Sequence, residues 1–128
     1  MTARVLVVDD IIANVRLLEA KLSAEYFEVI TAMNGLDALD AVQKSRPDII
    51  LLDIMMPGID GIETCRRLRT THGYGPTIVM LTASESDDIE AQAMKAGADR
   101  FLTKPFSPIE LLQLVDELGV PQPPDEAA

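Results

Sequence analysis

The sequence predicts an α/β domain built on a parallel sheet with helices on both faces. Three observations point there. Short runs rich in β-branched and apolar residues alternate five times with stretches whose apolar residues recur every three or four positions. The runs at 5–8 (VLVV), 48–53 (DIILLD) and 77–82 (TIVMLT) are apolar almost throughout, as in strands covered on both faces. Turn and stop signals separate the segments: Asn34-Gly35, Pro57-Gly58, Gly73, Gly75-Pro76, Gly97 and Pro105. A chain of 128 residues, 48% of them apolar, suits one domain around one core.

The elements follow in order. After the strand at 5–8, a helix is expected at 12–24, where Val15, Leu18 and Leu22 share a face. The strand EVITA at 28–32 leads to a helix at 36–45 with Leu39 and Val42 inward. The strand at 48–53 precedes a helix at 60–70 carrying Ile62, Cys65 and Leu68 on one side. The strand at 77–82 precedes a helix at 86–97 with Ile89, Ala93 and Ala96 inward. Asp87, Asp88 and Glu90 lie near its start, where acidic residues interact well with the helix dipole. The last strand, RFLT at 100–103, is followed by a helix at 107–118 with Leu111, Leu112, Val115 and Leu118 inward. Right-handed crossovers leave few topologies for such a chain. The proline-rich, acidic VPQPPDEAA reads as a flexible tail or linker start at 120–128, which leaves the domain at 1–119.

Charge narrows the function. Eleven lysines and arginines stand against 21 acids, a net charge of −10. That argues against direct nucleic-acid binding and against an anionic membrane surface, and it permits a cation site. Cys65 is the only cysteine, so no internal disulfide or cysteine-based zinc site is encoded. The start MTARVLVVDD does not read as a signal peptide, and no apolar stretch approaches the roughly 20 residues of a membrane span. The expectation is a cytoplasmic domain. Cys65 reads as a buried small hydrophobe, and Met55, Met56, Met80 and Met94 as packing residues. Arg66, Arg67 and Arg69 read as a solvated face, and His72 as a loop residue.

The informative residues stand where the strands end. In an open parallel sheet, ligands bind beyond the carboxyl ends of the strands. Asp9 and Asp10 end the first strand and Asp53 the third. If those strands are neighbours, three carboxylates converge, and a divalent cation relieves their repulsion. Hard oxygen ligands suit Mg²⁺, or Mn²⁺ in its place. Thr82 closes the fourth strand with a hydroxyl, and Lys104 follows the fifth with an ammonium. A carboxylate in such a place can act as a nucleophile and form an acyl phosphate, and metal and lysine would neutralise the phosphoryl charge. Each residue has a plainer alternative: Asp9 and Asp10 at a helix N-terminus, Asp53 capping a turn, Thr82 capping the fourth helix, Lys104 solvated in a loop. Their conjunction at strand ends of one sheet is far more specific than any member. A phosphatase with an aspartyl-phosphate intermediate would commonly want a second carboxylate two residues after the nucleophile, where Met55 stands.

The stretches VLVVDD, DIILLDIMMPGIDG, MLTAS and AGADRFLTKPF, with their spacings, resemble the receiver domain of two-component response regulators. The resemblance runs from about Arg4 to Leu118. It implies the flavodoxin/CheY-like (βα)5 fold, a doubly wound five-stranded parallel sheet of order 2-1-3-4-5. It implies Asp53 as phosphoacceptor, Asp10 and Asp53 as direct Mg²⁺ ligands, Asp9 as a ligand through water, and the Met55 carbonyl as a further ligand. It implies Lys104 paired with the phosphoryl group, Thr82 and Phe101 as switch residues, and a cis Lys104–Pro105 bond. The partners it implies are a histidine kinase or histidine phosphotransfer protein and a downstream protein or output domain. The receiver then catalyses its own phosphorylation and dephosphorylation. Met55 and Ser84 flank the route of the attacking water, and apolar Met55 predicts slow autodephosphorylation. The usual contact face is the fourth helix, fifth strand and fifth helix, where Asp99 and Arg100 offer charges of both signs for a phosphorylation-dependent homodimer. VDDIIANVRLLEAKLSAEYFEVITAMNG most resembles the first receiver of PleD-type regulators, which carry a diguanylate cyclase domain; no cyclase activity is expected of these residues. The alternative is a phosphorylation-independent interaction or dimerisation module of such a larger regulator.

Overall fold

Each apolar run forms a strand and each amphipathic stretch a helix. The computed structural model describes residues 3–71, 75–83, 86–104 and 107–119. The elements are β1 Arg4–Val8, α1 Ile12–Ala24, β2 Glu28–Ala32, α2 Gly35–Ser45, β3 Ile49–Asp53, α3 Gly61–Thr71, β4 Thr77–Thr82, α4 Asp87–Ala96, β5 Arg100–Thr103 and α5 Pro108–Gly119. All strand pairings are parallel and the order is β2-β1-β3-β4-β5.

The two-residue period of a strand divides the core into two layers. Leu6, Val8, Ile50, Leu52, Ile78 and Met80 pack with Ala38 and Val42 of α2, Ile62, Cys65 and Leu68 of α3, and Ala93 and Ala96 of α4. Val5, Val7, Ile49, Leu51, Val79 and Leu81 pack with Leu18 and Leu22 of α1 and Leu111 and Val115 of α5. Register keeps like with like: Leu6 pairs Ile50, and Ile50 pairs Ile78. Burying one such side chain fully stabilises by ~1.5–3 kcal/mol. β3 is buried at every position, whereas the edge strand β2 is half open, which is why EVITA lacks the continuous apolar character of the central runs.

Side chains set the helix starts. Asn34, expected as a turn, caps α2: its Oδ1 accepts the Asp37 N–H at 2.8 Å and its Nδ2 donates to Asp37 Oδ2 at 3.1 Å. Asp60 Oδ1 accepts the Glu63 N–H at 2.8 Å and so opens α3. Ser86 caps α4 through the Ile89 N–H at 3.4 Å, with Asp87, Asp88 and Glu90 in its first turn as expected. At the end of α1 the Tyr26 N–H bonds Ser23 O and the Phe27 N–H bonds Leu22 O, a Schellman pattern. Tyr26 holds the left-handed position there, at φ +68°.

Two surface expectations change. Met56 and Met80 pack in the core, but Met55 and Met94 are 71% and 53% exposed. Met55 stands beyond the last residue of the sheet, and Met94 lies one helical step off the face that buries Ala93 and Ala96. Arg66 and Arg67 are solvent-facing and pair with Glu63. Arg69 instead points inward: Nε donates to Gly97 O at 3.0 Å, Nη1 to Pro76 O at 2.8 Å and Nη2 to Asp99 Oδ2 at 2.8 Å. Asp99 Oδ2 also accepts the Ile78 N–H at 2.9 Å, so Asp99 ties β4, β5 and α3 together while its side chain stays exposed. Arg100 lies 3.6 Å from Glu117 within the chain. Cys65 is buried as expected, and burial pushes its thiol up to about 11. His72, Ser84, Pro105 and the 120–128 tail lie outside the described residues. Among the described residues no helix is long and apolar enough to cross a membrane.

Candidate functional site

The strand order brings the acids together. β1 and β3 are neighbours, so Asp9 and Asp10, just past Val8, meet Asp53 at the mouth of β3. One carboxylate oxygen from each of the three lies within 4.8 Å of the others. Asp9 and Asp53 are 1% and 5% exposed, and Asp10 is more open. β4 and β5 complete the rim with Thr82, which is buried, and Lys104. The Lys104 N–H donates to Thr82 O at 2.7 Å, holding the end of β5 against β4.

Lys104 Nζ donates to Asp53 Oδ1 at 2.9 Å and lies 3.4 Å from Asp9 Oδ2. Burial raises the Asp53 carboxyl above its ordinary value; Lys104 lowers it, and Asp9 and Asp10 raise it again. Burial lowers the Lys104 ammonium, but Asp53 and then Asp9 outweigh it, and its value ends raised. Asp9 is fixed from three sides. Its Oδ1 accepts the Ile11 N–H at 3.0 Å, and its Oδ2 accepts Asn14 Nδ2 at 3.2 Å as well as Lys104. Three carboxylates against one ammonium leave a negative deficit, and the oxygen donors suit a hard divalent cation. The residues present therefore fit Mg²⁺.

The remaining predicted residues fall around this centre. Thr82 ends β4 beside the acids, and the cap of α4 is Ser86. Phe101 lies opposite Met80 and is partly buried against the layer shared by α2, α3 and α4. Met55 projects into solvent from the bend after Asp53. Two contributors were not singled out from the sequence. Asn14 turns its amide back from α1 onto Asp9. Gly61 begins α3 so close behind Asp53 that a Cβ there would sit 2.3 Å from the Asp53 carbonyl oxygen. The second glycine of PGIDG, Gly61, was the only signal of that approach.

A parallel sheet of this order, with buried acids and a lysine at its carboxyl end, defines a receiver-type switch domain. The response regulator receiver domain family matches residues 5–116, and the chain belongs to it. It is 52% identical over 120 residues to the response regulator PleD of Caulobacter vibrioides, an alignment covering 92% of this chain and 26% of PleD. The chain thus spans about a quarter of that relative's length. Among solved structures it resembles the chemotaxis protein CheY4 of Vibrio cholerae, with TM-score 0.85 and 33% identity over 92% of this chain and 99% of that one. It also resembles the receiver domain of the Francisella response regulator 1452, with TM-score 0.84 and 32% identity over 91% and 96%.

Proposed function

We propose that residues 1–119 form a Mg²⁺-dependent phosphoacceptor, with Asp53 as nucleophile and a phosphohistidine of a histidine kinase or phosphotransfer protein as donor. The observation that carries the reading is the buried Asp53 carboxylate, bonded to Lys104 at 2.9 Å and facing two further carboxylates. Asp53 attacks the donor phosphorus, the P–N bond breaks, the imidazole leaves and an acyl phosphate forms. Lys104 then exchanges its carboxylate partner for a phosphoryl oxygen. Thr82 donates its hydroxyl to another, and Phe101 follows toward the space Thr82 leaves. Asp10, Asp53 and the Met55 carbonyl would hold Mg²⁺ directly and Asp9 through water, and the ion supplies charge neutralisation on the phosphoryl oxygens.

Dephosphorylation returns Asp53 when water attacks the phosphorus. Met55, apolar and turned outward, cannot orient that water, so the acyl phosphate is slow to hydrolyse. The α4–β5–α5 face carries the switch to an output domain or to a second phosphorylated chain, and the setting is cytoplasmic. Intact-protein mass spectrometry with acetyl phosphate and Mg²⁺ tests the reading. One phosphoryl adduct is expected on the wild type and none on Asp53→Asn or on chelated protein. No adduct, and no change in the amide spectrum on adding beryllofluoride, would sink it in favour of a phosphorylation-independent interaction module.

A further inference from the structure

Asn14 sits in the first turn of α1, its own N–H bonded to Ile11 O at 3.0 Å, so the backbone that carries its amide is fixed. An ionised carboxylate only accepts hydrogen bonds, so the amide nitrogen is the atom that serves Asp9. Asp9 has two oxygens and three donors. Oδ1 takes the Ile11 N–H, while Oδ2 is shared by Asn14 Nδ2 at 3.2 Å and Lys104 Nζ at 3.4 Å. Lys104 keeps its shorter bond, 2.9 Å, for Asp53.

We propose that Asn14 is a positioning residue that locks the Asp9 carboxylate and leaves Lys104 to Asp53, thereby selecting a small cation that retains its water. The inference rests on the metal reading above. Without the amide, Oδ2 keeps Lys104 as a partner, and the ammonium shifts toward Asp9. The carboxylate is then held by Ile11 and a flexible lysine only, and it can swing. Mg²⁺ demands near-ideal octahedral geometry and keeps waters, so it loses a fixed acceptor for one of them. Ca²⁺ accepts more oxygens in looser geometry and tolerates a mobile carboxylate. Partners of ligating carboxylates typically alter metal affinity by about 10–100-fold.

The test is a Mg²⁺ and Ca²⁺ titration, by calorimetry and by amide NMR shifts, of the wild-type chain, Asn14→Leu and Asn14→Ala. Leucine keeps the shape without a donor; alanine guards against a packing artefact. The expected result is roughly tenfold weaker Mg²⁺ binding in both variants with a smaller loss for Ca²⁺, so the preference for Mg²⁺ narrows. Mg²⁺ affinity within about twofold of wild type in both would overturn the role of Asn14 and leave the metal reading standing. An equal loss of both ions with a lowered apo melting temperature would reduce Asn14 to a structural residue. A wild type that binds neither ion would remove the metal reading and this inference with it.

Discussion

At Asp53, burial and two neighbouring acids hold the carboxyl above 3.8 despite Lys104. Between that ordinary value and the raised one, the folded chain binds a proton that the unfolded chain has released. This group's contribution to stability therefore falls as pH rises through that window. Lys104 does not cancel the trend, because its raised value lies above 10.5 and its favourable contribution is lost only beyond that. In chelator at pH 7, Asp53→Asn is expected to melt above the wild type, with the gap closing as pH falls toward 3.8. A wild type that melts higher at pH 7 would mean that the lysine pair outweighs burial. Tyr26 makes a second case. It is 85% exposed and occupies a left-handed position that disfavours a Cβ. Tyr26→Gly should raise stability by roughly 0.5–1 kcal/mol in urea denaturation. Asp9, Asp10, Asp53, Thr82 and Lys104 stood out in the sequence as a set, because five polar groups at the ends of apolar strands break the local pattern, whereas each alone had a plainer reading. Asn14 and Arg69 were not, since their partners arrive from other elements and neither residue departs from ordinary helix composition.

The approach of α3 to β3 depends on a missing side chain at the helix start. A methyl group at Gly61 would press on Asp53 O and on the Ile54 Cα, both backbone atoms that cannot turn aside. Gly61→Ala is therefore expected to cost ~1–3 kcal/mol in a denaturant melt and to slow phosphorylation by acetyl phosphate, because the strand end that aims Asp53 must move. An unchanged rate with lowered stability would confine the effect to packing. Element boundaries were readable to within a residue because strand and helix periods differ and because turn signals such as Asn34-Gly35 and Gly97 punctuate them, whereas the capping roles of Asp60 and Ser86 came only with the structure. At the α4–β5 junction the stop at Gly97 was readable, but not what packs against it. Its Gly97 turn, at φ +114°, lies against Arg69, whose guanidinium bridges three segments.

Across the whole molecule, on the metal reading proposed above, a cation joining Asp10 on the β1 side to Asp53 on β3 would bind only the folded chain. Mg²⁺ at a hundred times its Kd should raise unfolding free energy by ~2.7 kcal/mol, and a chelator should remove the gain. The same addition to Asp53→Asn should give clearly less, and equal gains in both proteins would place the ion elsewhere. The alternation of patterns was enough for a parallel sheet, but strand order came only with the family resemblance, because sequence spacing alone does not say which strands are neighbours. That order has a consequence for synthesis. Lys104 is 95 residues from Asp9 and 51 from Asp53 along the chain, and it stands just past β5, the last strand of this sheet in chain order. A nascent chain that ends before β5 carries all three acids without the lysine that pairs with them. Its pocket is electrostatically unfinished, and the ammonium that completes it arrives only when the final strand docks. On the phosphoacceptor reading proposed above, a fragment that stops before β5 would lack the lysine its phosphoryl group requires.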